Sequence, residues 1–127
     1  MNVLKLLKSM FTHAPRISPA DCKSRIRSGE ALLVDVREPG EWASGVAESA
    51  RLLPLSDLTG KRREWSSMLS EARNREILLY CAAGSRSGMA AKILTAEGFN
   101  AANTGGIGAW EACGWPIRKP GQSKRTK

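Results

Sequence analysis

Cys81 ends the apolar run Glu76-Ile77-Leu78-Leu79-Tyr80. It opens a loop of small residues, Ala82, Ala83, Gly84 and Ser85, that passes through Arg86 and Ser87 into a helical stretch. Residues this small let the backbone curl with its N–H groups inward, and a helix N-terminus adds to the same field, so the junction suits an anion. That anion would be the Cys81 thiolate, whose pKa such surroundings lower. Gly84 permits a positive φ or a close backbone approach. Arg86 adds a permanent charge, and Ser85 and Ser87 add hydroxyl donors. The chain has a single histidine, His13, near its N-terminus. No imidazole base is therefore at hand for a Cys–His or Ser–His pair. Activation must come from dipoles and charge, which suits a nucleophile that attacks as a preformed thiolate.

The other two cysteines, Cys22 and Cys113, are widely spaced, and no Cys/His pair has zinc-ligand spacing, so no metal is expected. Three separated cysteines argue for free thiols in a reducing compartment and hence a cytoplasmic location. A second group of functional residue types, Asp35, Arg37 and Glu41, follows another apolar run. Asp35 is expected to accept hydrogen bonds from the cysteine loop. Glu41 is expected to pair with Arg86 or Arg37. All three, with Ser87, are read as supports for the loop.

These residues need elements to hold them. "ALLVDVR" and "EILLYC" are short apolar runs that read as buried strands. "SARLLPL" and "FNAANT" are further strand candidates. "ISPADCKSRIRSG" carries helix start and stop signals, and Ser56 to Ala72 reads as one charged helix with Leu58, Trp65, Met68 and Leu69 as its apolar side. "SGMAAKILTAEG" is a helix stopped by Gly98, and "GGIGAWEACGWP" a short terminal one. Strands alternating with helices imply βαβ units, a mainly parallel sheet with helices on both faces, and sites beyond the C-terminal strand ends. The four tryptophans, Trp42, Trp65, Trp110 and Trp115, are expected in the core.

Three stretches, "DVREPGEWASG", "CAAGSRSGMAA" and "NTGGIGAWEACGWP", together resemble the signatures of the rhodanese, or sulfurtransferase, homology domain, in that family's order. The resemblance covers about residues 17–117. It implies a three-layer α/β/α domain around a central, mainly parallel five-stranded sheet. It also implies transfer of a sulfane sulfur through a persulfide on Cys81, without a metal or organic cofactor. Residues 82–86 would cradle the persulfide. The donor would be a small molecule such as thiosulfate, and the acceptor cyanide or a thiol; a sulfur-relay protein is a further expected partner. Two departures stand out. Val46 occupies a position where the family often has histidine. Ala82 and Ala83 are neutral, leaving Arg86 as the only cation in the loop, so thiosulfate is expected to be a poor substrate. Two alternatives stay open: a non-catalytic rhodanese-like module that regulates a partner, and a cysteine phosphatase or arsenate reductase. The second is disfavoured by the Cys-x4-Arg spacing, one residue shorter than the Cys-x5-Arg that closes round a phosphate.

The formal charge of +8 is not spread over the domain. Lys5, Lys8 and Arg16 precede it, and Arg118, Lys119, Lys124, Arg125 and Lys127 follow it, with no acid among them. The stretch between is balanced, so no nucleic-acid face is implied. The chain therefore divides into an amphipathic segment (1–16), the domain (17–117) and a basic, disordered tail (118–127). In the first segment Val3, Leu4, Leu6, Leu7, Met10 and Phe11 share a helical face, but Lys5 and Lys8 break every apolar run. That excludes a secretory signal or a membrane span. Docking on the domain's own surface is expected, with peripheral membrane or partner contact as the alternative.

Overall fold

The computed structural model of the protein describes residues 3–121. In chain order the elements are α1 (Val3–Met10), a 3-10 turn (Pro19–Asp21), α2 (Lys23–Arg27), β1 (Ala31–Asp35), α3 (Pro39–Trp42), β2 (Val46–Ala47) and β3 (Arg51–Leu52). There follow α4 (Leu55–Leu58), α5 (Trp65–Glu71), β4 (Glu76–Cys81), α6 (Ser85–Ala96), β5 (Ala101–Gly106), α7 (Ile107–Ala112) and β6 (Ile117–Arg118).

The main sheet has the order β3-β1-β4-β5 with every pair parallel. Strands buried on both faces read as continuous apolar runs, which is why "ALLVD" and "ILLYC" were legible without alternation. On one face Leu32, Val34, Ile77, Leu79 and Cys81 pack against Trp65 and Met68 of α5 and Ala90, Ile93 and Leu94 of α6. On the other, Ala31, Leu33, Leu78, Tyr80 and Ala102 pack against Cys22, Trp110 and Trp115. The result is three layers. Each large apolar side chain buried here contributes about 1.5–3 kcal/mol.

The sheet has four strands, where five were expected. Beyond β5 the chain makes a single parallel bridge, Arg16 to Asn103. The Ile17 N–H donates to the Asn103 carbonyl and the Asn103 N–H to the Pro15 carbonyl, both at 3.0 Å. Pro15 has no N–H with which to continue a ladder, and the pairing stops there.

Other differences have equally local causes. The helix expected over Ser56–Ala72 is two, α4 and α5. The Asp57 carboxylate accepts the N–H groups of Arg63, Glu64 and Trp65, and so starts a new helix while Arg62 holds a positive φ. Arg118, placed by the sequence at the head of a tail, lies in β6, pairs with Val46 of β2 and forms an ion pair with Glu48. Val46 is thus occupied by strand pairing. The rest of the expected tail from residue 122 lies outside the described residues.

Helix α1 packs against α6, with Ser9 buried. Leu4 and Phe11 remain 76 % and 83 % exposed. The helix docks on the domain as expected, but these apolar side chains point away from it. No helix among the described residues is long and apolar enough to cross a membrane.

Candidate active site

Cys81 is the last residue of β4, the strand between β1 and β5, and its side chain is 1 % exposed. The chain then turns through exposed Ala82 and Ala83 to Gly84. Gly84 has φ +105° and starts α6. A side chain there would strain a conformation that glycine adopts freely. The turn brings the Gly84 N–H to 3.0 Å from the Cys81 Sγ, and the first turn of α6 puts the Ser87 hydroxyl at 3.3 Å. Burial raises the Cys81 pKa, but the Ser87 hydroxyl and the N–H groups of Ser87, Gly84 and Ala83 outweigh it, and the net shift is downward. The expected inward-pointing backbone is present, and its donors govern the sulfur.

The loop rests on a residue the sequence reading passed over. The buried Asn103 of β5 donates through Nδ2 to the Gly84 carbonyl at 3.0 Å. Its Oδ1 accepts the Gly105 N–H at 2.9 Å and lies 2.7 Å from the Ser87 oxygen, whose single proton serves either this oxygen or the Cys81 Sγ. An acceptor facing Nδ2 and donors facing Oδ1 fix the orientation of the amide. The polar Asn103-Thr104 pair interrupting a buried strand was the signal available in the sequence. Gly106, opposite Cys81 after an irregularity in the β4–β5 register, has the same purpose by another means: a Cβ there would lie 2.3 Å from the Ala82 carbonyl oxygen.

Arg86 grips Glu41 with both terminal nitrogens, at 2.6 and 2.9 Å, and its charge also acts on the Cys81 sulfur. The Arg86 hydrogen bonds, together with the Glu38 N–H, hold the Glu41 carboxyl down to about 2 against the opposing effect of burial. The same contact raises the Arg86 pKa. Of the two partners expected for Glu41, Arg86 is the one its carboxylate takes. Arg37 donates instead to the Glu41 carbonyl and to the Gly45 carbonyl, and so fixes the short α3 that presents Glu41.

Asp35 does not bond the loop, contrary to expectation. Its carboxylate accepts from Arg37 Nε and Nη2, from the Arg37 N–H at 2.9 Å and from Trp42 Nε1 at 3.3 Å. Asp35 ends β1 with a fully buried side chain, and the guanidinium two residues on neutralises it where it stands. Ser85 is exposed at the start of α6, and Ala82 carries the carbonyl that faces Gly106. Of the remaining cysteines, Cys22 is buried and its thiol is pushed up to about 11 by that burial, and Cys113 is half-buried. No cluster able to hold a metal ion occurs among the described residues.

Residues 18–113 match the family described as the rhodanese-like domain. The chain is 35 % identical over 97 residues to a putative sulfurtransferase, YtwF, of Bacillus subtilis, covering 75 % of this chain and 88 % of that one. It is 33 % identical over 93 residues to a sulfurtransferase of Allochromatium vinosum, covering 72 % and 81 % respectively. Among solved structures, a rhodanese-related protein of Thermoplasma volcanium superposes with a TM-score of 0.68 at 30 % identity, covering 82 % of this chain and 97 % of that one.

Proposed function

The chain belongs to the rhodanese-like domain family, and from that premise we propose that it moves a sulfane sulfur from a small donor such as thiosulfate to cyanide or a thiol through a persulfide on Cys81. The observation that carries this reading is the sulfur's surroundings: a buried Sγ held by the Gly84 N–H and the Ser87 hydroxyl, with its pKa lowered. The Cys81 thiolate attacks the outer sulfur of thiosulfate. A new S–S bond forms, the bond to the sulfonate sulfur breaks, and sulfite leaves with the electron pair. Cyanide or a thiolate then attacks the outer sulfur of the persulfide. The S–S bond breaks, its electron pair returns to Cys81, and thiocyanate or a new persulfide departs. Neither step needs a proton-abstracting base.

The loop suits one sulfur better than a phosphate. Its four residues between Cys81 and Arg86 make a small ring, and Arg86 is committed to Glu41. Exposure to thiosulfate should add about 32 Da, one sulfur atom, to the intact protein, and cyanide should remove it. Cys81→Ser should abolish both the adduct and thiocyanate production while the melting temperature stays close to wild type. An unmodified wild-type protein after thiosulfate would leave the regulatory-module reading in its place.

A further inference from the structure

We propose that Arg16, outside the loop in sequence, is the binding group for the oxyanion part of the sulfur donor; this rests on the sulfurtransferase reading. The loop's own cation is already neutralised, since Arg86 holds Glu41 through two hydrogen bonds. Arg16 brings a second guanidinium to the same loop. Both of its terminal nitrogens lie 3.6 Å from the point a Gly84 Cβ would occupy, and Nη2 lies 3.3 Å from the corresponding point at Gly105. Both glycines have positive φ and carry no side chain, which leaves room for the guanidinium close to the backbone. Gly84 also donates its N–H to the Cys81 Sγ. The same residue therefore donates to the sulfur and has Arg16 as its neighbour on the side where a Cβ would stand.

The placement is built rather than incidental. The Arg16 segment is bridged to the Asn103 backbone, and the Asn103 side chain bonds the Gly84 carbonyl, so Arg16 and the sulfur cradle are both anchored to one residue of β5. None of the seven ion pairs among the described residues involves Arg16, and its side chain is exposed. An exposed guanidinium beside Gly84, the residue that donates to the sulfur, presents a fork of N–H donors that fits a sulfonate or similar oxyanion. It would hold the sulfonate of thiosulfate while the outer sulfur meets Cys81. The ligand class is thus a sulfane-sulfur donor that carries an oxyanion. Thiosulfate becomes a well-matched substrate, against the expectation drawn from Arg86 alone.

The test compares Arg16→Gln and Arg16→Lys with wild type on two donors, thiosulfate and cysteamine persulfide, which has no oxyanion. Losing one charge-assisted contact of about 1.5–3 kcal/mol should raise the KM for thiosulfate roughly tenfold or more in Arg16→Gln, with kcat much less affected. The ratio of kcat/KM for thiosulfate to that for the persulfide should fall by a similar factor, and Arg16→Lys should recover part of it. An unchanged ratio would overturn the proposal while wild-type turnover still upheld the sulfurtransferase reading. A second readout needs no turnover. Sulfate should slow alkylation of Cys81 by iodoacetamide in wild type, and Arg16→Gln should need roughly ten times more sulfate for the same protection. Equal protection in the two proteins would also overturn it.

Discussion

Asp35–Arg37 and Glu41–Arg86 are chemically the same pair, a carboxylate gripped by two guanidinium nitrogens, a few residues apart on the same side of the site. Their surroundings differ. The first pair is 0 % and 5 % exposed and finds its remaining partners in the Arg37 N–H, Trp42 Nε1 and the carbonyls of Glu41 and Gly45. The second has about a third of each side chain in water. Water screens the second pair and substitutes for either partner when it is lost, whereas nothing substitutes inside the first. One pair is part of the framework that carries α3. The other is a latch between α3 and the start of α6, holding Arg86 in one orientation at little energetic consequence.

The largest effect should follow from breaking the buried pair on one side. Asp35→Asn leaves Arg37 charged and without its counter-ion, and urea unfolding should show a loss of about 3–5 kcal/mol. A double substitution, Asp35→Leu with Arg37→Met, should be less damaging than Asp35→Asn alone. If both variants lose equally, the side chains matter for packing and the comparison fails.

An intermediate effect is expected at the latch, and pH separates it from packing. Glu41 falls from an ordinary 4.5 to about 2 in the fold. Because the folded value is the lower one, the stabilisation is fully present above pH 4.5 and is lost as pH falls through about 2. Partial exposure screens it, so it should amount to no more than about 1 kcal/mol. Glu41→Gln should therefore be slightly less stable than wild type at neutral pH and equal to it near pH 2. Parallel stability curves across that window would show that the ion pair contributes nothing.

The smallest effect belongs to a third bidentate pair, Arg51–Glu71, with both side chains more than two-fifths exposed. Glu71→Gln should leave the urea midpoint unchanged within error. A measurable shift there would mean that exposure does not rank these pairs.

Much of the site was legible because it is contiguous. A strand ending in Cys81, a glycine able to take positive φ and a helix beginning at Ser85 are all properties of one short stretch, and local sequence is enough to specify them. Glu41 was identified as an arginine partner because it follows an apolar run that ends on the same side of the sheet. Asp35 was misassigned because its nearest cation, Arg37, competes more effectively than a loop far away in sequence. Asn103, Gly106 and Arg16 escaped notice for a different reason. Their roles exist only once β5 lies beside β4: the polar Asn103-Thr104 pair in an otherwise buried strand marks something unusual, but not that its partner is Gly84, 19 residues back. The split between α4 and α5 was hidden in the same way, since Asp57 reads as an ordinary exposed helix acid until its carboxylate turns to three backbone N–H groups.

The position of Cys81 has a bearing on time. Its strand is paired on both sides, and its side chain belongs to the same cluster as Trp65, Ile93 and Leu94. Segments of this kind open only when the whole molecule opens, while helix ends and loops fray at far lower cost. Cys81 is thus tied to the part of the protein that opens last, although the groups around it lie in a surface loop. On the proposed reading, the inner sulfur of a persulfide would stay fixed in the sheet while the outer one sits in the loop, so the lifetime of the stored sulfur would be set by the loop and by the arrival of an acceptor, with the anchoring bond held still beneath it.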